Sequence, residues 1–163
     1  MTAITLRAPA GFPGVITRSD SLTVQQEIID SGTPPNIFGG VVKLVSGKLQ
    51  PIASGDAGSV AYGFLVKAFP TQSSGNAYGA GTPPTTGVAD VLRRGYLAVT
   101  LALGTAAKRG QVYVVTTAGG TVNLGDIVTA SSPAGGGAAV AVSGAYFTGP
   151  ADSSGAVEIE YNI

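Results

Sequence analysis

The sequence predicts an all-β protein, and three observations predict it. The chain of 163 residues is cut into short pieces by 25 glycines and 10 prolines. Those pieces are rich in Val, Ile, Thr, Tyr and Leu, the side chains that fit a pleated, half-buried surface. Over much of the chain, turn signals recur about every 8–12 residues, the spacing of a β-sandwich or barrel. A chain of this length suits one domain with a sizeable core.

Residues 1–20 differ in character from the rest. Pro9, Gly11, Pro13 and Gly14 break any regular element, yet Ile4, Leu6, Phe12, Val15 and Ile16 are apolar. Disordered tails are poor in such residues, so the stretch reads as an extended N-terminal arm packed on something, with the β domain spanning 21–163. The one helix candidate is SLTVQQEIIDSG (21–32), where Ser21 is placed to cap. Thr23, Val24, Ile28 and Ile29 are β-branched, however, which favours a strand. Further strands are expected at GVVKLVS (40–46), SVAYGFLVKAF (59–69), GVADVLRR and GYLAVTLAL (87–103), QVYVVTT (111–117), DIVTAS (126–131), AAVAVSGAYF (138–147) and AVEIEYNI (156–163). QVYVVTT is almost continuously apolar and should be central. In the last segment Val157, Ile159, Tyr161 and Ile163 share one face, and Glu158, Glu160 and Asn162 the other, a strict period of two. The stretch PTQSSGNAYGAGTPPTTG (70–87) is a long loop, with Tyr78 its one large apolar side chain; loops of this length tend to be functional or disordered.

Composition excludes several chemistries. The absence of His and Cys removes the commonest general base, thiolate nucleophiles, zinc thiolate sites and disulfides. There is no G-x-S-x-G and no phosphate-binding G-x-x-x-x-G-K-[ST]. GAGTPP (79–84) starts like a dinucleotide fingerprint but puts proline where a helix should begin. Glu158 and Glu160 are spaced roughly 7 Å apart along a strand, a separation a glycosidase or calcium site can use; a solvated strand face is the favoured reading. Asp56 and Asp126 each follow a glycine just before a strand, where a carboxylate bonds turn amides. No enzyme, cofactor or metal site is expected.

Lys plus Arg is 9 and Asp plus Glu is 9, only 11% of the chain, against about 25% in ordinary globular proteins. The only adjacent cationic pairs are Arg93–Arg94 and Lys108–Arg109, so neither nucleic acid nor membrane is an expected partner. No apolar run reaches the ~18 residues of a membrane helix, and the N-terminus lacks the pattern of a secretory signal. Low charge and a mean hydropathy of +0.34 fit a surface partly covered by other protein, or equally an Ala/Gly/Val-rich β protein.

The order of the pieces resembles the structural cement, or head-decoration, proteins of tailed bacteriophages. The likeness runs from GFPGVITRSD and TVQQEIIDSG through PPNIFGGVVKL, SVAYGFLVKAFPTQ, VADVLRRGYLAVTL and AAKRGQVYVVTTAGG to VSGAYF and SSGAVEIEYNI. The Gly/Ala-rich SSPAGGGAA (131–139) stands where a plainer turn is expected. The resemblance implies a jelly-roll-like domain that docks on the outer surface of an assembled capsid and bridges neighbouring coat subunits. It implies no reaction and no cofactor. The implied partners are the phage major capsid protein and further copies of the chain, as a dimer or trimer at a capsid symmetry axis; the implied location is the virion, after synthesis in the bacterial cytoplasm. The residues assigned to the coat-protein interface are Leu6, Phe12, Ile16 and Arg18 of the arm, Tyr78 of the long loop, and Arg93 and Arg94. The competing function is a β-sandwich binding module, for carbohydrate or as an adhesin or tail-fibre head, against which the absence of Trp weighs.

Overall fold

A computed structural model describes residues 11–67 and 81–163. The all-β expectation is borne out. Nine strands run in chain order: β1 (Ile16–Ile28), β2 (Val41–Val45), β3 (Lys48–Pro51), β4 (Gly63–Leu65), β5 (Val88–Leu103), β6 (Gln111–Thr117), β7 (Ile127–Val128), β8 (Ala138–Phe147) and β9 (Ala156–Tyr161). The one helical turn described is a 3-10 turn at Gly58–Val60.

The pairings close into two rings that share β5. In the first, β5 pairs with β7, β7 with β6, β6 with β8, β8 with β9, and β9 returns to β5; only β5–β7 is parallel. In the second, β5 pairs with β1 and with β4, β4 with β2, and β2 with β3. A bridge between Ile29 and Leu49 joins the end of β1 back to β3. Ring closure leaves fewer open sheet edges, the places where strands recruit unwanted partners.

Each ring is filled by the inward side chains of its strands. Leu97, Val99, Val112, Val114, Val142, Phe147, Val157 and Ile159 fill the first, joined by Phe64 and Leu92. Phe64 meets Tyr161 edge to face, with ring centres 5.1 Å apart. Ile29, Phe38, Val42, Leu49, Leu65 and Val91 fill the second. A third cluster, Val115, Val122, Val128 and Ala139, covers the other side of β6. That explains the unbroken apolar run of QVYVVTT: the strand lies between β7 and β8 and is covered on both faces.

Strand β5 serves both rings because its inward face switches along its length. Leu92 and Leu97 both enter the first core although five residues separate them, which strict alternation forbids. The switch falls where the β1–β5 register shifts, between the Arg18–Tyr96 and Thr23–Arg94 pairs. Gly95 stands there at φ +133°. A side chain would be strained in that conformation and would meet Leu22 and Leu92 at 3.1 and 3.3 Å.

Several expectations need correction. GVADVLRR and GYLAVTLAL form one strand of 16 residues rather than two. Of the described part of SVAYGFLVKAF, residues 59–67, only Gly63–Leu65 is strand, preceded by the 3-10 turn. Lys48–Pro51, given no element by the sequence reading, is β3; its tight turn from β2 uses positive φ at Ser46 and Gly47. The segment 21–32 is strand as far as Ile28, and Ser21 caps nothing: at φ +56° it kinks β1. β1 itself begins at Ile16, within the stretch read as an arm. The Gly/Ala-rich insert has a packing reason, since Gly135 lies so close to Gly120 that a Cβ on Gly120 would overlap the Gly135 carbonyl oxygen.

Candidate functional site

The final strand was expected to show a solvated face, and it does not. Val157, Ile159 and Tyr161 are buried as the period of two requires, while Ile163 is exposed. Glu158 on the opposite face is only 6% exposed. β9 lies between β5 and β8, and the N-terminal end of β1 reaches across to it. The Glu158 carboxylate accepts bonds from the hydroxyls of Thr17 (2.6 Å) and Thr148 (2.7 Å), and from Nε (3.0 Å) and Nη2 (2.5 Å) of Arg18. Burial alone would raise the pKa of this carboxyl, but the bonds from Arg18, Thr17 and Thr148 and the guanidinium charge outweigh it. The net effect holds Glu158 below the ordinary carboxylate range, and Arg18 is raised in turn, first by its bond to Glu158.

Around this pair the register assembles a row that crosses five strands. Arg18 of β1 stands opposite Tyr96 of β5, Tyr96 opposite Glu160 of β9, Glu160 opposite Tyr146 of β8, and Tyr146 opposite Gln111 of β6. The Arg18 guanidinium lies 4.4 Å from the centre of the Tyr96 ring. Arg109 bonds Glu160 at 2.7 Å and lies 5.3 Å from the Tyr146 ring. A third stack sits further along β5, where Arg93 covers the Tyr62 ring at 3.6 Å. The Tyr62 hydroxyl donates to Glu27 and Gln25 of β1, and the bond to Glu27, assisted by burial, raises the Tyr62 pKa. Cations over aromatic faces in this way are worth roughly 0.5–1 kcal/mol each at exposed sites.

The turn carboxylates Asp56 and Asp126 are structural. Asp56 accepts from the Ala53 amide and the Lys43 ammonium, and Asp126 accepts from the Asn123 amide, as expected of turn carboxylates. Glu158 and Glu160 are each committed to a different arginine. Among the described residues no group of three or more acidic, His or Cys side chains is placed to hold a metal ion.

The family model described as structural cement protein (E217 gp24/Pam3 gp6) matches residues 2–162. The chain belongs to the phage structural cement protein family. It is a structural, capsid-stabilising protein of a phage. The fold agrees: a chain in the capsid of Myoviridae phage XM1 superposes with a TM-score of 0.70 at 18% identity, covering 98% of this chain and 95% of that one. No curated protein matches in sequence.

The residues assigned to the coat interface are placed unevenly in this cement protein. Phe12 is 42% exposed, in a turn closed by the Val15 amide bonding the Phe12 carbonyl. Ile16 is half-buried and packs on the first core. Arg18 leaves about half of its side chain in solvent while holding Glu158. Arg93 is occupied by Tyr62, and its neighbour Arg94 is exposed. Leu6 and Tyr78 lie outside the described residues. Sequence reasoning missed Tyr96, Tyr146, Arg109 and Tyr62 as a set. Strand periodicity puts each tyrosine on a face, but only the register brings an arginine over it.

Proposed function

We propose that this cement protein works without catalysis, on the outer surface of an assembled capsid, where it bridges neighbouring major coat subunits. The observation that carries the reading is the β1 ribbon. Nine of its thirteen residues from Ile16 to Ile28 are exposed, with Leu22 39% and Ile28 58% exposed. Ile28 stands opposite Val88, itself 56% exposed, in the β1–β5 register. Among the described residues β1 pairs only with β5, apart from the bridge at Ile29. A long, exposed strand with apolar side chains is what proteins avoid leaving uncovered.

Phe12, ahead of β1, and Arg94, opposite Thr23 of β1 in the register, are assigned to the same surface, with Leu6 and Tyr78 as further contacts. The charges supply little long-range attraction, because Arg18 and Arg109 are neutralised by glutamates of the same molecule. Affinity then comes from close-fitting contacts made to several neighbours at once, and a second contact made by a tethered molecule adds avidity without new strength in either. A ligand that binds the assembled shell and not free subunits stabilises assembly by linkage. The copies of the protein are assigned to a dimer or trimer at a symmetry axis.

Co-sedimentation with expanded empty capsids and with dissociated coat subunits tests this. Strong binding to capsids only, weakened by the pair Leu22→Ser and Ile28→Ser and retained at about 0.5 M salt, where screening is strong, is the expected result. Equal binding to capsid and free subunits, or release by salt, would overturn it.

A further inference from the structure

Arg18, Lys43, Arg93 and Arg109 each have a carboxylate or a closely stacked tyrosine from within the molecule, and Lys48, Arg94 and Lys108 are exposed to solvent. Lys67 breaks that pattern. It follows β4 and is only 7% exposed. No ion pair or hydrogen bond involves its ammonium among the described residues. Its one neighbour of opposite character is the face of Phe38, 5.8 Å from the ring centre, near the outer limit for a useful cation–π contact. The chain has no carboxylate side chain held in reserve: all nine Asp and Glu fall within the described residues.

The surroundings show a built cradle. Phe38 forms its floor. The Lys67 amide donates to the Gly14 carbonyl at 2.7 Å, and the Gly14 amide donates to the Ala98 carbonyl at 2.7 Å. That brings Gly14, just ahead of β1, to one side of the lysine. Gly81 lies on the other side, where a Cβ would stand 3.6 Å from Nζ, an ordinary contact distance. The backbone around Lys67 is therefore held, while the ammonium is not. Among the described residues no buried side-chain nitrogen or oxygen lacks a hydrogen-bond partner, so the unpartnered Nζ must still reach solvent through an opening. An ammonium on a residue only 7% exposed, without an ion pair, gives up part of its hydration uncompensated, and a partner carboxylate entering that opening would supply the missing charge.

We propose that Lys67 is the receptor for an Asp or Glu side chain of a coat subunit. This deepens the cement reading and rests on it: the partner must present a carboxylate at the point where Gly14 meets the end of β4. Such a pair is short-ranged and poorly screened, so it fits binding that survives salt.

Two measurements test the assignment with the full-length protein and expanded empty capsids of its own phage. Zero-length carbodiimide coupling of the bound complex, followed by peptide mass spectrometry, should join Lys67 to a coat Asp or Glu. The variant Lys67→Met keeps a flexible chain over Phe38 and removes the charge. It should unfold at the same temperature as the wild type or higher, and bind capsids about thirtyfold more weakly or worse, as expected for losing one partner of a desolvated pair. Wild-type protein that binds capsids but never couples through Lys67 would overturn the proposal and leave the cement reading standing. So would a Lys67→Met protein that binds normally, or one that melts well below the wild type, which would make the lysine structural. Wild-type protein that fails to bind capsids would overturn both.

Discussion

Replacing Glu158 by alanine removes the acceptor that ties the first residues of β1 to β9. In the folded protein that carboxylate takes bonds from Thr17, Thr148 and both Nε and Nη2 of Arg18. Bonds to a charged group contribute roughly 1.5–3 kcal/mol each when buried. The Arg18 side chain is 49% exposed, so water takes over most of what the guanidinium loses, and exposed ion pairs are worth only about 0–1 kcal/mol. The two threonine bonds dominate, and with their discount for partial burial the substitution should cost about 2–3 kcal/mol. For a chain of this length that is a fall of roughly 4–12 °C in melting temperature.

Glu160→Ala is the matched control. It removes a carboxylate two residues along the same face, whose partner Arg109 is 70% exposed, and should cost under about 1 kcal/mol. Differential scanning calorimetry of the three proteins at neutral pH decides the matter. Equal shifts for the two variants, or no shift for Glu158→Ala, would refute the claim that burial makes Glu158 the anchor. Acidification gives a second reading with a definite sign. The folded-state pKa of Glu158 lies below its ordinary value of 4.5. Its stabilising contribution is therefore complete above that value and is lost as pH falls through the lower folded value. The stability gap between wild type and Glu158→Gln should shrink as the solution is acidified below 4.5, and a gap that widened would contradict the assignment.

Other substitutions test the fold and the surface separately. Phe64→Ala removes a fully buried ring packed on Tyr161 and should cost about 3–5 kcal/mol, read as a lower urea midpoint with an unchanged slope. Gly95→Val places a branched side chain at φ +133° beside Leu22 and Leu92; a cost of about 1–3 kcal/mol is expected from strain at such a position, and an unchanged midpoint would show that the β5 face switch does not need glycine. Phe12→Ala, at a position 42% exposed, should move the melting temperature little, within about 0.5 kcal/mol, while weakening co-sedimentation with capsids.

Some of this protein is determined by local sequence alone. Period-two patterning in AVEIEYNI, the glycine and proline punctuation, and the β-branched content of 21–29 are local properties, and each is expressed locally as strand. The turn carboxylates Asp56 and Asp126 are equally local, since each bonds an amide three residues back in the chain. The lack of His and Cys is a fact of composition that no fold can change. The order of short apolar and glycine signatures resembles the cement family, to which the chain belongs.

What the local pattern could not supply was register. Whether Glu158 faces water or a guanidinium depends on Arg18, 140 residues away, being brought to β9 by the pairing of β1 with β5. The union of two expected strands into β5, the switch of its inward face at Gly95, and the closure of both rings are decisions of tertiary packing. So is the burial of Lys67 between Phe38, Gly14 and Gly81. The physical reason is common to all of them. A strand's period says which side chains share a face, but not which strand lies alongside; that choice is made by burial of apolar area and satisfaction of backbone bonds over the whole chain.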